Sequence, residues 1–132
     1  MVDQWLDAWP NLVVDLSARI PEVGRHDPAR VGAFFEKHHR RILFGTDLGV
    51  GAHGLMLGST GPEPSTMEDV APFYQRHYRF LESSERDLVH PTPIQGDWSI
   101  DGVGLDAKVL KAIYHLNAER LFRLGSAPGE PR

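Results

Sequence analysis

Apolar positions come in patches whose spacing changes along the chain, and each change of spacing marks an element. Trp5, Leu6 and Trp9 have helical spacing and lead to Pro10, which predicts a short helix before it. Leu12, Val13, Val14 and Leu16 follow too densely for one helix face, so 11–18 reads as a buried strand. Asp27 and Pro28 pair a side-chain acceptor with a residue suited to a first helical turn. Behind them Val31, Phe34, Phe35 and His38 fall at i, i+3, i+4 and i+7, an amphipathic helix. His38, His39, Arg40 and Arg41 close it, where the helix dipole favours positive charge. A second apolar run, 41–47, reads as another strand. Strand, helix and strand have the length of a βαβ unit, with parallel strands joined by a right-handed crossover.

Beyond Asp47 the pattern dissolves. Residues 48–66 are rich in Gly, Pro, Ser and Thr and read as a loop, long enough to be functional or mobile. A helix is expected from about Asp69, with Pro72 tolerated in its first turn and Val70, Phe73, Tyr74, His77 and Leu81 as its apolar stripe. A second irregular stretch covers 86–104, in which Trp98 and Ile100 suggest a short hairpin arm. The final helix begins near Asp106 and carries Val109, Leu110, Ile113 and Leu116, continued by Leu121 and Phe122. The Gly/Pro-rich tail 125–132 is expected to be disordered, which leaves 1–124 as the folded unit. No internal repeat is visible.

Composition narrows the function classes. The 132 residues allow one domain. Lys and Arg total 14 against 18 Asp and Glu, scattered and with a net charge of −4, so nucleic acid is not an expected partner. The absence of cysteine removes disulfides, thiolate nucleophiles and thiolate metal ligands together. No apolar run approaches the ~20 residues of a membrane span, and the first residues carry no signal-peptide pattern. The expectation is a soluble cytoplasmic protein.

Asp47 is the strongest candidate for chemistry. It ends a buried parallel strand and opens the glycine-rich stretch, and ligands of α/β folds gather at the carboxyl ends of parallel strands. Strand alternation puts Leu43, Gly45 and Asp47 on one face, with Gly45 leaving space below the carboxylate. Such a carboxylate could ligate a cation, orient a water or act as general base. Equally, it could cap the loop through backbone hydrogen bonds. Asp15, inside the first strand, could share that face or pair with a cation. Arg19 and Arg25 follow the first strand and could hold a substrate carboxylate, although a structural salt bridge explains them as well. His53 lies in the loop after Asp47 and could reach the same site. The remaining histidines read as surface or helix-face residues, and adjacent His38 and His39 point to different sides of a helix. Trp98 reads as a hydrophobic anchor, or as a cover for a pocket.

Arg41, Ile42, Leu43, Phe44, Gly45, Thr46 and Asp47 together resemble the eighth strand of the amidohydrolase superfamily, in particular its second large subfamily, which includes decarboxylases. The run from Pro10 to Ala18 looks like that subfamily's seventh strand. The run from Ile113 to Phe122, with its Asn117-Ala118 step, looks like its closing helix pair. The resemblance implies an α/β fold corresponding to the C-terminal part of a (β/α)8 TIM-like barrel, two parallel strands with flanking helices. It also implies a divalent metal, usually zinc, with the aspartate matching Asp47 as metal ligand and proton shuttle. The activity implied is hydrolysis of a C–N or C–O bond, with decarboxylation as the close alternative. A non-catalytic remnant or interaction module is the alternative of a different class. The HxH ligand pair of the family's first strand, and the middle-strand ligands, have no counterpart in this sequence. The chain alone is therefore expected to be inactive. Its open strand edges further suggest self-association as a homo-oligomer.

Overall fold

A computed structural model describes residues 1–52, 54–58 and 64–124. His53 and the tail 125–132 lie outside the described residues.

Helix α1 (Val2–Ala8) leads to strand β1 (Val14–Asp15), then α2 (Ile20–Val23), α3 (Pro28–His38), a tight turn (His39–Arg41) and β2 (Ile42–Leu43). Asp27 caps α3 by accepting from the Arg30 N–H at 2.9 Å, with Pro28 in the first turn, as the sequence predicts. β1 and β2 pair in parallel, Val14 opposite Ile42 and Asp15 opposite Leu43, so the βαβ unit is present. Both strands are shorter than 11–18 and 41–47 because the backbone leaves the ladder early. The Phe44 N–H, for instance, donates to the Ile113 carbonyl at 3.0 Å instead of to β1.

The stretch read as a loop contains an antiparallel hairpin, β3 (Leu48–Gly51) with β4 (Gly54–Leu57), in which Leu48 faces Leu57 and Val50 faces Leu55. Its glycines disguise the alternation, since the two arms need only each other to pair. Helix α4 (Met67–Glu82) starts before the expected Asp69 because Thr66 and Asp69 form a reciprocal capping box. The predicted arm is β6 (Ser99–Ile100), paired antiparallel with β5 (Leu88–Val89). Helix α5 (Ala107–Lys111), capped by Asp106 on the Val109 N–H at 2.9 Å, continues through a widened turn (Ala112–Leu116) into α6 (Asn117–Phe122).

The core gathers Leu16, Ile20, Phe35, Ile42, Phe80, Leu81, Ile100 and Ile113. Burial alternates at the parallel pair: Leu16, Ala18, Ile42 and Thr46 are buried, whereas Asp15 and Asp47 are exposed. One face is thus covered by helices and the opposite face is open. The described residues form three separate two-stranded sheets and no closed barrel. No described helix is long and apolar enough to cross a membrane.

Candidate functional site at the carboxyl ends of the parallel strands

Both parallel strands lead into a non-glycine residue in the left-handed region, Ala18 (φ 48°) after β1 and Asp47 (φ 59°) after β2. An L side chain there costs roughly 1–2 kcal/mol, and such positions cluster at functional sites. Asp47 stands exposed at the turn, and its backbone carbonyl accepts from the Gly58 N–H at 3.1 Å. That bond ties the hairpin to the strand end through main chain. Among the described residues no hydrogen bond or ion pair engages the Asp47 carboxylate itself, so capping of the loop by this side chain finds no support there. Below it, a Cβ on Gly45 would come within 2.4 Å of Ser17 Oγ and 3.4 Å of Asp15 Oδ1. Glycine is what lets Asp15 and Ser17 close over β2 on the open face. Asp15 turns back on its own chain, accepting from the Ser17 N–H at 2.8 Å, and makes no cation pair among the described residues.

A strap formed by 90–95 crosses both strand ends. The Thr92 methyl carbon lies 2.4 Å from where a Gly58 Cβ would be, with Phe73 and the Thr46 carbonyl also within 3.3 Å of that point. Gly58 (φ 72°) is therefore required both by its backbone and by its neighbours. At the other end the Gln95 Nε2 donates to the Ala18 carbonyl at 3.4 Å. Thr92 and His90 are each only 2% exposed, and Thr92 Oγ1, His90 Nδ1 and Gln95 Oε1 are buried with no partner among the described residues. Buried polar atoms are nearly always paired, and each orphan costs about 1–3 kcal/mol.

Neither arginine singled out from the sequence reaches Asp47. Arg19 is exposed, donates to the Ser17 carbonyl at 3.4 Å and lies 4.0 Å from Glu22. The Arg25 guanidinium sits 4.7 Å from the Trp98 ring, a cation–π contact, while the Trp98 indole N–H donates to the Pro21 carbonyl at 2.9 Å. Trp98 is thus an anchor for α2.

Two histidines assigned to helix faces prove to be deeply buried. His77 Nδ1 donates to the Phe73 carbonyl at 2.8 Å, and burial holds the ring's pKa below the usual histidine value. Its Nε2 has no partner among the described residues. His38 is buried within a clasp at the other end of the molecule. Its Nδ1 accepts from Arg41 at 3.2 Å, which leaves Nε2–H to donate to Asp3 at 2.7 Å. Lys37 bridges Asp3 and Asp7 at 2.9 and 2.7 Å, and Arg41 also donates to the Leu6 and Trp9 carbonyls. Asp3, Asp7 and His38 each offer a ligand atom within 4.8 Å of one another. The Lys37 ammonium already fills the cation's role there, so this group fastens α1 to α3.

Sequence reasoning passed over Thr92 and Gln95 and read His90 as a surface or helix-face residue, whereas it is buried in an irregular segment, where nothing in the sequence marks which polar atoms end up inside. Asn117 carried a signal, the Asn-Ala step. Its side chain is buried and donates to the Ile42 carbonyl at 2.8 Å and to the His39 carbonyl, pinning α6 to the start of β2.

A family model described as amidohydrolase matches residues 4–124. No curated protein and no solved structure matches the chain significantly.

Proposed function

Because this chain belongs to the amidohydrolase family, we propose that it contributes the strand-end aspartate, Asp47, to a metal-dependent hydrolase that cleaves a C–N or C–O bond of a small molecule. In this reading β1 and β2 are the seventh and eighth strands of a (β/α)8 barrel, and their open face is the barrel interior. The observation that carries it is the placement of Asp47. It is an exposed carboxylate four residues beyond the carboxyl end of the parallel strand β2, on a left-handed turn that leads into β3, within the matched span.

The donor set fits a divalent cation in part. Asp47 offers a carboxylate oxygen, the hard ligand such an ion takes, but it stands in no group of three candidate ligands among the described residues. The family's other ligands have no counterpart in this sequence, and zinc is the expected ion. A bound divalent ion would bring the pKa of its water towards neutrality and polarise the scissile carbonyl. The chain's own contribution is to hold a proton acceptor at one point. Asp47 sits on a left-handed turn whose main chain the Gly58 bond fixes, and the room left by Gly45, expected to stand open below the carboxylate, is taken up by the Ser17 and Asp15 side chains. An aspartate there can take a proton from the attacking water and return it to the leaving group.

Asp47→Asn removes the acceptor while keeping the shape. Measured in the complete, metal-loaded enzyme, it is expected to lower kcat by about 100-fold or more with an unchanged circular dichroism spectrum. Turnover equal to the parent enzyme would remove Asp47 from the mechanism.

A further inference from the structure

On α3, Arg30, Ala33, Phe34 and Lys37 fall at i, i+3, i+4 and i+7 and share one side of the helix. The clasp ties the start of α1 to the far end of that side through Asp3 and Lys37, and Val23, the last residue of α2, lines the space between them. The result is a groove of about 480 Å³, within the ~300–1,000 Å³ range of small-molecule sites. Val2, Val23, Val31 and Phe34 give it an apolar lining. Phe34 belongs to the apolar stripe that the sequence predicts for α3, yet it is only half-buried, because part of its ring faces this groove and not the core.

The charged groups around the groove differ in how far they are used. Lys37 is held between Asp3 and Asp7, and Asp3 is met by His38 as well, so these charges answer one another. Arg30 has no such partner. Its backbone N–H goes to Asp27, but among the described residues its guanidinium makes no hydrogen bond or ion pair. His26, which also lines the groove and offers a ring N–H in either tautomer, engages nothing described. An idle guanidinium and an imidazole beside an apolar lining complement an anion that carries a hydrocarbon chain, and a guanidinium takes a carboxylate through two parallel hydrogen bonds. We propose that the groove between α1 and α3 binds a monocarboxylate of the fatty-acid type. Arg30 and His26 hold the carboxylate, and the chain lies over Val2, Val23 and Phe34. No residue lining the groove comes from β1, β2 or the turn at Asp47, so the site does not rest on the hydrolase reading.

The test is a ¹⁵N–¹H NMR titration of the full chain with sodium octanoate, with acetate as the head group alone and 1-octanol as the chain alone. Saturable shifts are expected at the amides of Val23, His26, Arg30 and Phe34 with octanoate, none with acetate, and binding of octanol about tenfold weaker. Arg30→Met keeps the stem and removes the charge. It is expected to weaken octanoate by about tenfold and to leave octanol unchanged, which separates a lost charge from a lost fold. Arg30→Lys should stay within about threefold of the parent. Ala33→Glu, at an exposed position that lines the groove, sets a carboxylate in the path of the ligand and should abolish octanoate binding with an unchanged circular dichroism spectrum. Unsaturable shifts with octanoate, equal binding of octanol, or octanoate binding undiminished by Arg30→Met would overturn the proposal. So would shifts of the same amides on raising the protein concentration without ligand, since the groove would then hold a second copy of the chain.

Discussion

The clasp around His38 and the strap around Thr92 are both buried polar constructions, and they differ in how completely they are satisfied. In the clasp each nitrogen of His38 meets a partner, Lys37 sits between two carboxylates, and Arg41 reaches two carbonyls of α1 and its exit. In the strap a hydroxyl, an imidazole nitrogen and an amide oxygen meet none among the described residues. A fully satisfied network rigidifies, whereas an unsatisfied one is a standing cost that folding alone would remove. The clasp is therefore read as stability, whereas the strap lies against the chain ends that follow β1 and β2. They sit at opposite ends of the βαβ unit, the clasp at the end of α3 and the strap at the ends of β1 and β2.

The sharpest way to break this contrast is to truncate both. His38→Leu strands Asp3 and takes away the acceptor facing Arg41, and it is expected to cost about 3 kcal/mol in urea unfolding. A loss under about 1 kcal/mol would show that the clasp is only a surface ion pair. An acid titration gives an intermediate effect. The His38 hydrogen bond, then Lys37, hold the Asp3 carboxyl down at about 2 against an ordinary 3.8. The depressed value means stability that is fully present above 3.8 and is lost as pH falls towards 2. The amides of α1 should therefore lose hydrogen-exchange protection in that window before those of β2 do. Simultaneous loss in both elements would deny the clasp a role of its own. The smallest effect belongs to Thr92→Val. An orphan hydroxyl replaced by a methyl should leave unfolding stability within about 0.5 kcal/mol of the parent, or raise it. A loss of more than about 1.5 kcal/mol would reveal a hidden partner and make the strap structural after all.

The two regions also differ in how far the sequence discloses them. The βαβ unit was readable because its signals are local: the Asp27 cap, the period of Val31, Phe35 and His38, and two dense apolar runs. The same pattern puts Asp47 at the end of a strand 41–47, whereas β2 stops at Leu43 and Asp47 follows in the turn before β3; the resemblance to the amidohydrolase superfamily is borne out by the family match. The hairpin β3–β4 was hidden because glycines at Gly49, Gly51 and Gly54 carry the turn signal while the pairing partners alternate beneath it. The clasp and the strap were hidden for a different reason. Asp3 and His38 are 35 positions apart, and Gln95 and Ala18 are 77 apart, so only the closed chain tells which polar groups share a site. Arg19 and Arg25 show the converse. Their proximity to β1 along the chain suggested a shared site with Asp47, yet Arg25 stacks on Trp98 and Arg19 stays at the surface.

The most direct measurement places a paramagnetic cation on the molecule and asks which carboxylates hold it. Trace Mn²⁺ added to the ¹⁵N-labelled chain broadens amides near its preferred oxygen ligands, and the two acidic regions compete for it within one spectrum. If the strand end is functional and the clasp structural, broadening centres on Thr46, Asp47 and Leu48, disappears in Asp47→Asn, and spares Asp3, Lys37 and His38. Broadening centred on Asp3, Asp7 and His38 instead, unchanged by Asp47→Asn, would reverse the two assignments and contradict the account.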